Sequence, residues 1–299
     1  MHSDFQHWID ANLDSQKGKT ILITGGNSGI GYYAALALAK VGADVIIAGR
    51  SAERIDQAVR DIQAEDIAGS VEGGIVDLAS LESVQEYANQ FQTKYSRLDV
   101  LINNAGIMMP PADTTEDGLE SQFGVNFIGH FALTGRLYGL LKSTSGTRVV
   151  TLSSIAHRGA EIDFDNLRLE KPYDTVREYY QSKLADIIFA LELGHRADAK
   201  GDDVLSVACH PGFTKTELQR HVDPALLTKF TFMDTWQGAL PTIVAATGDV
   251  KLGDYFGPDG PGEMGGFPAL GVIDSAALDA AVADRLWAVG EDVTGISYP

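Results

Sequence analysis

Two adjacent tyrosines precede a lysine in the segment REYYQSKLAD, which spans residues 177–186. Tyr179 stands four residues before Lys183, and Tyr180 stands three residues before it. Side chains three or four residues apart share a face of an α-helix, so the spacing lets either phenol meet the ammonium. A phenol ordinarily has a pKa near ~10, and a neighbouring cation favours its ionised form. The segment therefore predicts a proton-transfer pair of one tyrosine and Lys183.

The neighbours on each face of this predicted helix separate the two tyrosines. One face is an apolar stripe made of Tyr180, Leu184, Ile187 and Leu191. The neighbouring face carries Tyr179 with Ser182, Lys183 and Asp186. We therefore predict that Tyr179 performs the chemistry, with its pKa lowered by Lys183, and that Tyr180 has a packing role.

A glycine-rich turn, TGGNSGIG, follows the first predicted strand and opens the first predicted helix. Glycine lets the backbone approach a pyrophosphate closely and take positive φ without strain. The helix N-terminus then presents free N–H groups and a positive dipole end to the phosphates. The spacing is not the commonest G-x-G-x-x-G, so a simple strand-to-helix connection is the alternative. The predicted dinucleotide contacts are Gly25, Asn27, Ser28, Gly29, Ile30 and Gly31.

The end of the second predicted strand bears on the choice of cofactor. An acidic residue there would bind the ribose 2′-hydroxyl of NAD and repel a 2′-phosphate. Gly49 occupies that place and Arg50 follows, with a guanidinium that can hold a phosphate in fork geometry. This favours NADP(H), while NAD(H) stays open. After the third strand, Asp77 and Leu78 are expected beside the adenine, although Asp77 could instead serve the start of a helix.

Strand-like and helix-like segments alternate along the chain. The predicted strands are Thr20–Ile23, Asp44–Ala48, Gly74–Val76, Val100–Asn103, Arg148–Leu152 and Val204–Cys209. The predicted helices are Gly29–Val41, Ala52–Ala64, Leu81–Tyr95, a long one within Leu119–Leu141, and Arg177–His195. Apolar strands separated by helices are typical of a parallel sheet covered on both faces. We predict a doubly wound, three-layer α/β/α fold in a single domain at 17–299, after an extension at 1–16.

Three segments interrupt this alternation. Residues 158–175 and 213–236 are irregular and follow strand ends, where ligands bind in parallel sheets, so both are expected to form pocket walls. The second of them, at about 213–236, is the predicted substrate loop. A segment rich in glycine and proline follows at about 253–272.

Composition excludes several classes of function. The chain has 299 residues, 44% of them apolar, and a net charge of −18, which argues against binding nucleic acid or anionic lipid. Its single cysteine, Cys209, permits no intrachain disulfide and fits a cytoplasmic location. The N-terminus resembles no signal peptide, and no apolar run is long enough to span a membrane. The histidines His130, His157 and His210 lack metal-ligand spacing, so no catalytic metal is expected.

Several motifs occur in a fixed order along the chain. They are TGGNSGIG at 24–31, NNAG at 103–106, the VN pair ending at Asn126, the pair Ser153–Ser154, Tyr179-x-x-x-Lys183, and HPG at 210–212. In this order and spacing the chain resembles the short-chain dehydrogenase/reductase family, in its retinol-dehydrogenase-like branch. The segment YFGPDGPGEMGGFP also resembles that branch. The resemblance implies a Rossmann-type fold and hydride transfer between NAD(P) and an alcohol or carbonyl.

The resemblance also implies roles for the motif residues. Tyr179 would be the general acid/base, with Lys183 also reaching the nicotinamide ribose. Ser154, the second of the serine pair, would hydrogen-bond the substrate oxygen, with Ser153 as its competitor. Asn126 would hold a water linked to Lys183, although a satisfied polar residue inside the helix fits equally well.

Further residues are expected to contact or accommodate the cofactor. Those near the fourth strand are Asn104, Ala105 and Gly106, of which Asn104 also suits a role in pinning neighbouring strands. Those after the sixth strand are Pro211, Gly212, Thr214 and Thr216. The two threonines could bind the carboxamide or pyrophosphate, or could cap the next helix.

Two positions depart from the branch: Phe127 and Asp186 stand where polar, uncharged residues are expected. Neither is expected to touch the catalytic residues, and Asp186 could pair near Arg177 or Lys183 or lie at a subunit surface. The two long helices are the family's usual dimer surfaces, so a homodimer or homotetramer is compatible with the resemblance.

The leading hypothesis is an NADP-dependent oxidoreductase acting on a small, hydrophobic secondary alcohol or ketone. A cofactor-sensing interaction protein without turnover is a second hypothesis, and the complete set of serine, tyrosine and lysine argues against it. An epimerase or dehydratase related to the family is a third, which the glycine spacing disfavours.

Overall fold

A twisted central sheet runs through the computed structural model, which describes residues 2–299. Its strands are β1 Thr20–Thr24, β2 Asp44–Gly49, β3 Ser70–Ile75, β4 Val100–Asn103, β5 Thr147–Leu152, β6 Val204–Cys209, β7 Tyr255–Pro258 and β8 Pro268–Leu270. Their spatial order is β3-β2-β1-β4-β5-β6-β7-β8, with β1 to β7 parallel and β8 antiparallel to β7. The order reverses between β1 and β4, which is where an open α/β sheet forms its ligand crevice.

Helices cover both faces of the sheet. They are α1 Ser3–Asn12, α2 Gly29–Lys40, α3 Ala52–Gln63, α4 Leu81–Lys94, α5 Ser121–Phe123, α6 Gly129–Ser143, α7 Thr175–Lys200, α8 Pro224–Leu227, α9 Thr235–Thr247 and α10 Ala280–Thr294. One buried apolar cluster joins the sheet to α1, α2, α3 and α9, and another joins it to α4, α6, α7 and α10. The predicted doubly wound, three-layer fold is therefore confirmed.

The third strand is longer and earlier than the predicted Gly74–Val76. It runs over Ser70–Ile75 and pairs with β2 along its whole length. Its sequence, SVEGGI, has no apolar run, because the strand lies at the edge of the sheet and exposes four of its six residues. The apolar-run criterion, which suits buried strands, therefore placed it too late.

The segment rich in glycine and proline contributes two strands that the sequence did not predict. β7 is fully buried and extends the parallel sheet beside β6. A reversal of the chain then places β8 antiparallel to β7, where it forms the other edge. Proline fits the edge strand β8, since an edge residue need not donate to a ladder.

The N-terminal extension is anchored in the core rather than lying apart from it. Phe5 is fully buried and Ile9 nearly so. The ring of Phe5 packs edge-on against Tyr33 of α2 and also contacts Trp236 of α9. The first helix therefore closes the face formed by α2 and α9.

The C-terminal helix α10 packs on α6 and α7, the two helices named as the family's usual dimer surface. Trp287 of α10 contacts Phe131 of α6 and Phe189 of α7, and Tyr298 donates to the Phe131 carbonyl at 2.7 Å. The aromatic faces of α6 and α7 are thus covered by α10 of the same chain. None of the helices in residues 2–299 combines the length and apolar character needed to cross a bilayer.

The anchoring of α1 can be tested by removing the Phe5 ring. We expect Phe5→Ala to lower the free energy of unfolding by about 3–5 kcal/mol, the usual range for a fully buried phenylalanine. Phe267→Ala, which removes the same ring from a site with 53% exposure, should change it by less than about 1 kcal/mol. Urea denaturation followed by circular dichroism measures both, and equal losses would contradict the packing described here.

Candidate active site

The glycine-rich turn brings the end of β1 against the end of β4. Gly25 and Gly29 have φ of +67° and +58°, where side chains are strained. A Cβ on Gly25 would lie 2.9 Å from the Cα of Ala105, and one on Gly31 would lie 2.5 Å from the Gly25 carbonyl oxygen. These glycines are therefore required by close backbone approach, and the turn opens α2 as predicted.

Thr24 and Asn104 join the two strand ends. The Thr24 hydroxyl accepts hydrogen bonds from the backbone N–H groups of Asn104 and Ala105, each at 3.0 Å. The Asn104 amide donates to the Thr24 carbonyl at 2.7 Å. Asn104 thus pins neighbouring strands, as the sequence suggested, and the cradle for a cofactor forms between them.

The cradle continues to the end of β2, where Gly49 meets Asn27. A Cβ at position 49 would lie 3.1 Å from Asn27 Oδ1, so a larger residue would crowd the turn. Arg50 follows on the cavity wall, and its guanidinium has no hydrogen-bond or ion-pair partner within residues 2–299. Nearby, Arg54 pairs with Glu217. The cradle therefore keeps one uncommitted cation at its outer end.

Asp77 makes a local turn rather than capping α4. Its Oδ1 accepts from the Ala79 N–H at 2.9 Å, and Ser80 performs the capping by accepting from Ser83 N–H. Asp77 and Leu78 both line the cavity, at the end of β3. An adenine contact from these residues stays a prediction.

The catalytic candidates converge from β5 and α7. Asp174 accepts from the first backbone N–H groups of α7 and so fixes where that helix begins. Tyr179 is 6% exposed and lines the same cavity as Ser154, which follows β5. The Lys183 ammonium lies 5.9 Å from the centre of the Tyr179 ring and donates to the Leu152 carbonyl at 3.1 Å. The three predicted side chains are therefore together.

Ser153 is separated from this group because successive side chains at the end of β5 point to opposite sides. Its hydroxyl donates to the Lys183 carbonyl at 2.7 Å, which ties β5 to the α7 backbone. Ser154 is the more exposed of the two and lines the cavity together with Tyr179. The assignment of Ser154 rather than Ser153 to the substrate oxygen stays a prediction.

Burial dominates the electrostatics of Tyr179. Desolvation raises the pKa of its phenol above the ordinary value, while Lys183 and the hydrogen bond from Ser154 oppose that rise. The expected direction, a lowered pKa, is therefore wrong for the protein alone. The sequence showed the cation but not the depth at which the phenol lies.

Asp186 contacts Lys183, contrary to the expectation that it would not touch the predicted catalytic residues. Its Oδ2 lies 2.7 Å from Lys183 Nζ, and the two side chains are 2% and 7% exposed. Burial raises the pKa of the carboxyl to about 6 against the opposing pull of Lys183. The carboxylate in turn raises the pKa of the Lys183 ammonium, which burial alone would lower. At pH 7 the two form a buried ion pair.

Asn126 lies in a single π-helical turn, residues 124–128, that separates α5 from α6. Its amide donates to the Ile107 carbonyl and to Ser182 Oγ, and its side-chain oxygen accepts from the Ile107 N–H. A Cβ on Gly106 would lie 3.3 Å from Asn126 Oδ1 and 3.8 Å from Lys183 Nζ, so the missing side chain leaves space between them. Asn126 is satisfied by protein groups, and its link to Lys183 through water stays a prediction.

His130 is a structural partner of Asn126 that the sequence did not reveal. It is 1% exposed, and burial lowers the pKa of its imidazole to about 4. In the neutral ring, Nδ1–H donates to the Asn126 carbonyl at 2.7 Å and Nε2 accepts from the Thr24 hydroxyl at 2.8 Å. His130 thus connects the glycine-rich turn to the π-helical turn.

Beyond the catalytic group the cavity, of about 770 Å³, becomes apolar. Side chains that line this part are Ile155, Met108, Met109, Val176, Tyr180, Phe213, Leu226, Leu227, Phe230 and Phe232. Tyr180 is 38% exposed here, so its predicted packing role is wrong, although Leu184, Ile187 and Leu191 of the same stripe are buried. The turn of helix α7 that holds Tyr180 borders the cavity instead of the core.

One of the two expected pocket walls is present. The loop at 213–236 lines the cavity, contains α8, and ends in the first turn of α9. Residues 158–175 do not line it; they pack beside α7, where Asn166 donates to Glu178 at 3.0 Å and Tyr173 donates to the Pro110 carbonyl at 2.7 Å.

The turn after β6 is braced by the segment between β7 and β8. Gly212 has φ of +63°, and a Cβ there would lie 2.7 Å from the Met264 carbonyl oxygen. His210 Nε2 lies 2.9 Å from a Glu263 carboxylate oxygen, which also binds Arg158 at 2.6 Å. Burial lowers the pKa of His210 to about 4, so Glu263 holds a neutral imidazole. We call this group, Arg158, His210 and Glu263, the tail clamp.

Both threonines after Pro211 have local roles. Thr214 donates to the Pro211 carbonyl at 2.8 Å, and Thr216 caps the helical turn 217–221 in a capping box with Gln219. The capping alternative is thus confirmed for Thr216, while contacts of either residue with a cofactor stay a prediction. Within residues 2–299 no group of three or more His, Cys, Asp or Glu side chains is arranged to bind a metal ion.

The glycine cradle, the sheet order and the serine, tyrosine and lysine group define an oxidoreductase of the Rossmann type that uses a nicotinamide dinucleotide. Residues 19–226 match the model of the short chain dehydrogenase family, and the chain belongs to that family, in its retinol-dehydrogenase-like branch.

The comparisons with individual proteins extend over nearly the whole chain. Retinol dehydrogenase 13 of Homo sapiens is 40% identical over 296 residues, covering 94% of this chain and 86% of that protein. Polyprenol dehydrogenase of Mus musculus is 37% identical over 298 residues, covering 95% and 86%. The crystal structure of an uncharacterised protein from Mycobacterium paratuberculosis has 37% identity and a TM-score of 0.82, covering 97% of this chain and 98% of the other.

Two of the buried histidines, His130 and His210, make stability depend on pH. Their pKa of about 4 in the folded chain lies below the ordinary value of 6.5, so the unfolded chain binds more protons between these limits. Stability is full above pH 6.5 and falls as the pH drops toward 4, by about 2 kcal/mol per histidine at pH 5.

A variant separates the contribution of His130. His130→Gln should lower the free energy of unfolding at pH 7, because Thr24 or Asn126 loses a partner. Between pH 7 and pH 5 the free energy of unfolding of this variant should fall less than that of the wild type. His195→Gln, at an exposed position of α7, should keep the wild-type pH slope. Urea titrations at both pH values measure this, and an unchanged slope in His130→Gln would contradict a buried neutral imidazole.

Proposed function

We propose that this oxidoreductase transfers a hydride between NADP(H) and a hydrophobic secondary alcohol or ketone, with Tyr179 as general acid/base. The observation that carries the proposal is that Ser154, the buried Tyr179 and Lys183 line one cavity, at the point where the glycine cradle opens into its apolar part. A bound nicotinamide would supply or accept the hydride. The chain's own residues handle the proton and the substrate oxygen.

Each residue of the group has a separate task in this mechanism. Ser154 donates a hydrogen bond to the substrate oxygen and holds it beside the Tyr179 phenol. In reduction the phenol gives its proton to the oxygen as negative charge develops there; in oxidation the phenolate removes that proton. Lys183, charged at neutral pH, stabilises the phenolate and is near enough to the cradle to bind the ribose hydroxyls.

Arg50 supports the choice of NADP. Its guanidinium has no partner in residues 2–299, and Gly49 leaves no carboxylate to repel a 2′-phosphate. A phosphate would give Arg50 charge-assisted hydrogen bonds at the outer end of the cradle. The positive end of the α2 dipole and the free N–H groups of its first turn suit the pyrophosphate in the same way.

The substrate proposal rests on the cavity lining and on the relatives. Apolar and aromatic side chains of the loop at 213–236 face the catalytic group, and Phe213 stacks on Phe230 at 4.8 Å between ring centres. Two of the relatives are named retinol dehydrogenase and polyprenol dehydrogenase, and retinol and polyprenols are long apolar alcohols. A ketone or alcohol with an extended apolar body fits this lining better than a polar one.

The adjacent tyrosines provide a matched pair for testing the chemistry. Tyr179→Phe should lower kcat/KM about 10²- to 10⁴-fold, the usual contribution of a general acid, while Tyr180→Phe should change it only a few-fold. The assay follows nicotinamide absorbance over a panel of ketones and alcohols, and fluorescence titration should show unchanged NADPH affinity in both variants. Loss of activity in Tyr180→Phe with retention in Tyr179→Phe would overturn the assignment. No turnover by the wild type would favour a cofactor-sensing protein.

The cofactor preference depends on a single side chain. Arg50→Ala should weaken NADPH binding roughly 10- to 100-fold, the loss expected for a charged hydrogen-bonded contact, and should leave NADH binding nearly unchanged. Arg60→Ala removes an exposed guanidinium from α3 outside the cavity and is the matched control. Calorimetric titration with both cofactors measures the effect, and tighter binding of NADH by the wild type would contradict the proposal.

A further inference from the structure

Asp186 brings a second charge into the proton-transfer site. Its Oδ2 contacts Lys183 Nζ at 2.7 Å, and both side chains are buried. Its other oxygen, Oδ1, is buried and has no hydrogen-bond partner within residues 2–299. An unsatisfied carboxylate oxygen is costly in a core, and such costs concentrate at functional sites. Asp186 therefore places a buried negative charge beside the ammonium that lies next to the Tyr179 ring.

Other titratable groups around Lys183 are neutral at pH 7. His130 of α6 and Cys209 of β6 both act on the Lys183 charge. Burial lowers the pKa of His130 to about 4 and raises that of the Cys209 thiol to about 12. The neighbouring phenol of Tyr180 has a smaller influence on Tyr179. The charges that act most strongly on the Tyr179 phenol are therefore those of Lys183 and Asp186.

These two charges oppose each other at the phenol. The ammonium favours the phenolate, whereas the carboxylate disfavours it and neutralises part of the ammonium field. A lysine alone would prepare Tyr179 to accept a proton. A lysine paired with a carboxylate prepares it to keep one until the substrate oxygen becomes basic.

We propose that Asp186 is a positioning residue that, through Lys183, adds to burial in holding the proton on Tyr179 and so adapts the site to carbonyl reduction. In that direction a bound NADPH would supply the hydride to the carbonyl carbon. The O–H bond of Tyr179 breaks as the O–H bond of the product alcohol forms, and the phenolate remains beside Lys183. The proposal rests on the proposed function, and it adds the direction in which the site works best at neutral pH.

The first test follows the phenol without substrate or cofactor. The full chain is labelled with ¹³Cζ-tyrosine, and Tyr179→Phe identifies the Tyr179 resonance among the 10 tyrosines. In Asp186→Asn the Leu152 carbonyl and the asparagine oxygen still accept from Lys183 and keep its ammonium charged. The resonance should then report ionisation about one pH unit lower than in the wild type, the effect of one charge in a partly screened interior. If Tyr179 of the wild type stays un-ionised over the whole pH range in which Tyr179 of Asp186→Asn ionises, the result also supports the proposal. Coincident curves, or no ionisation in the variant within the folded range, overturn it.

The second test uses the reaction. The fall in kcat for ketone reduction at high pH, and the rise in kcat for alcohol oxidation, should both occur about one pH unit lower in Asp186→Asn. The asparagine oxygen can still accept from Lys183, so the hydrogen bond is kept while the charge is removed; Asp186→Ser replaces it if the variant does not fold. Profiles that stay in place or move upward overturn the proposal.

The control removes the same charge elsewhere on α7. Asp198 is exposed and lies 12 residues further along the helix, about 18 Å away at 1.5 Å per residue. Asp198→Asn should leave both the resonance and the pH profiles unchanged, and an equal shift there would reduce the effect to net charge. A wild type without turnover would contradict the proposed function, whereas the resonance measurement would still decide the role of Asp186.

Discussion

The site depends on keeping the Lys183 ammonium charged while water is excluded from it. An isolated ammonium in a protein interior gives up its proton, so each neighbour must compensate for lost hydration. Here the Leu152 carbonyl and the Asp186 carboxylate supply acceptors, and Gly106 leaves the adjacent volume free of side chain. The end of β5 and the first half of α7 are held together by this requirement, and Ser153 reinforces it through the backbone of Lys183.

Local patterns in the sequence were sufficient for much of the site. Helical spacing brought Tyr179 and Lys183 together, and the glycine-rich turn required the positive φ that Gly25 and Gly29 adopt. The parallel sheet followed from apolar runs, because buried strands contact helices on both faces. The family resemblance then selected Ser154 over Ser153, which spacing alone left open.

Features that depend on depth or on distant segments were not predictable in the same way. Tyr180 continues an apolar stripe, but the cavity reaches the turn of α7 that holds it, so its ring is exposed. His130 fits a helix interior in sequence, and its partner Thr24 is known only once β1 and α6 are adjacent. β7 and β8 contain glycine and proline that suggest loops, and pairing with β6 overrides that local preference. Tertiary contacts decide these cases.

The tail clamp links a segment that does not line the cavity to the loop that does. Glu263 holds His210 and Arg158, and the Met264 carbonyl accepts from the N–H of Phe213, at the start of the loop that covers the cavity. Substitutions at Glu263 should therefore combine non-additively with those at Phe213 or Gly212, since both act on one backbone turn. Libraries meant to alter substrate choice would need to vary the two segments together, because sampling either alone would miss the compensating pairs.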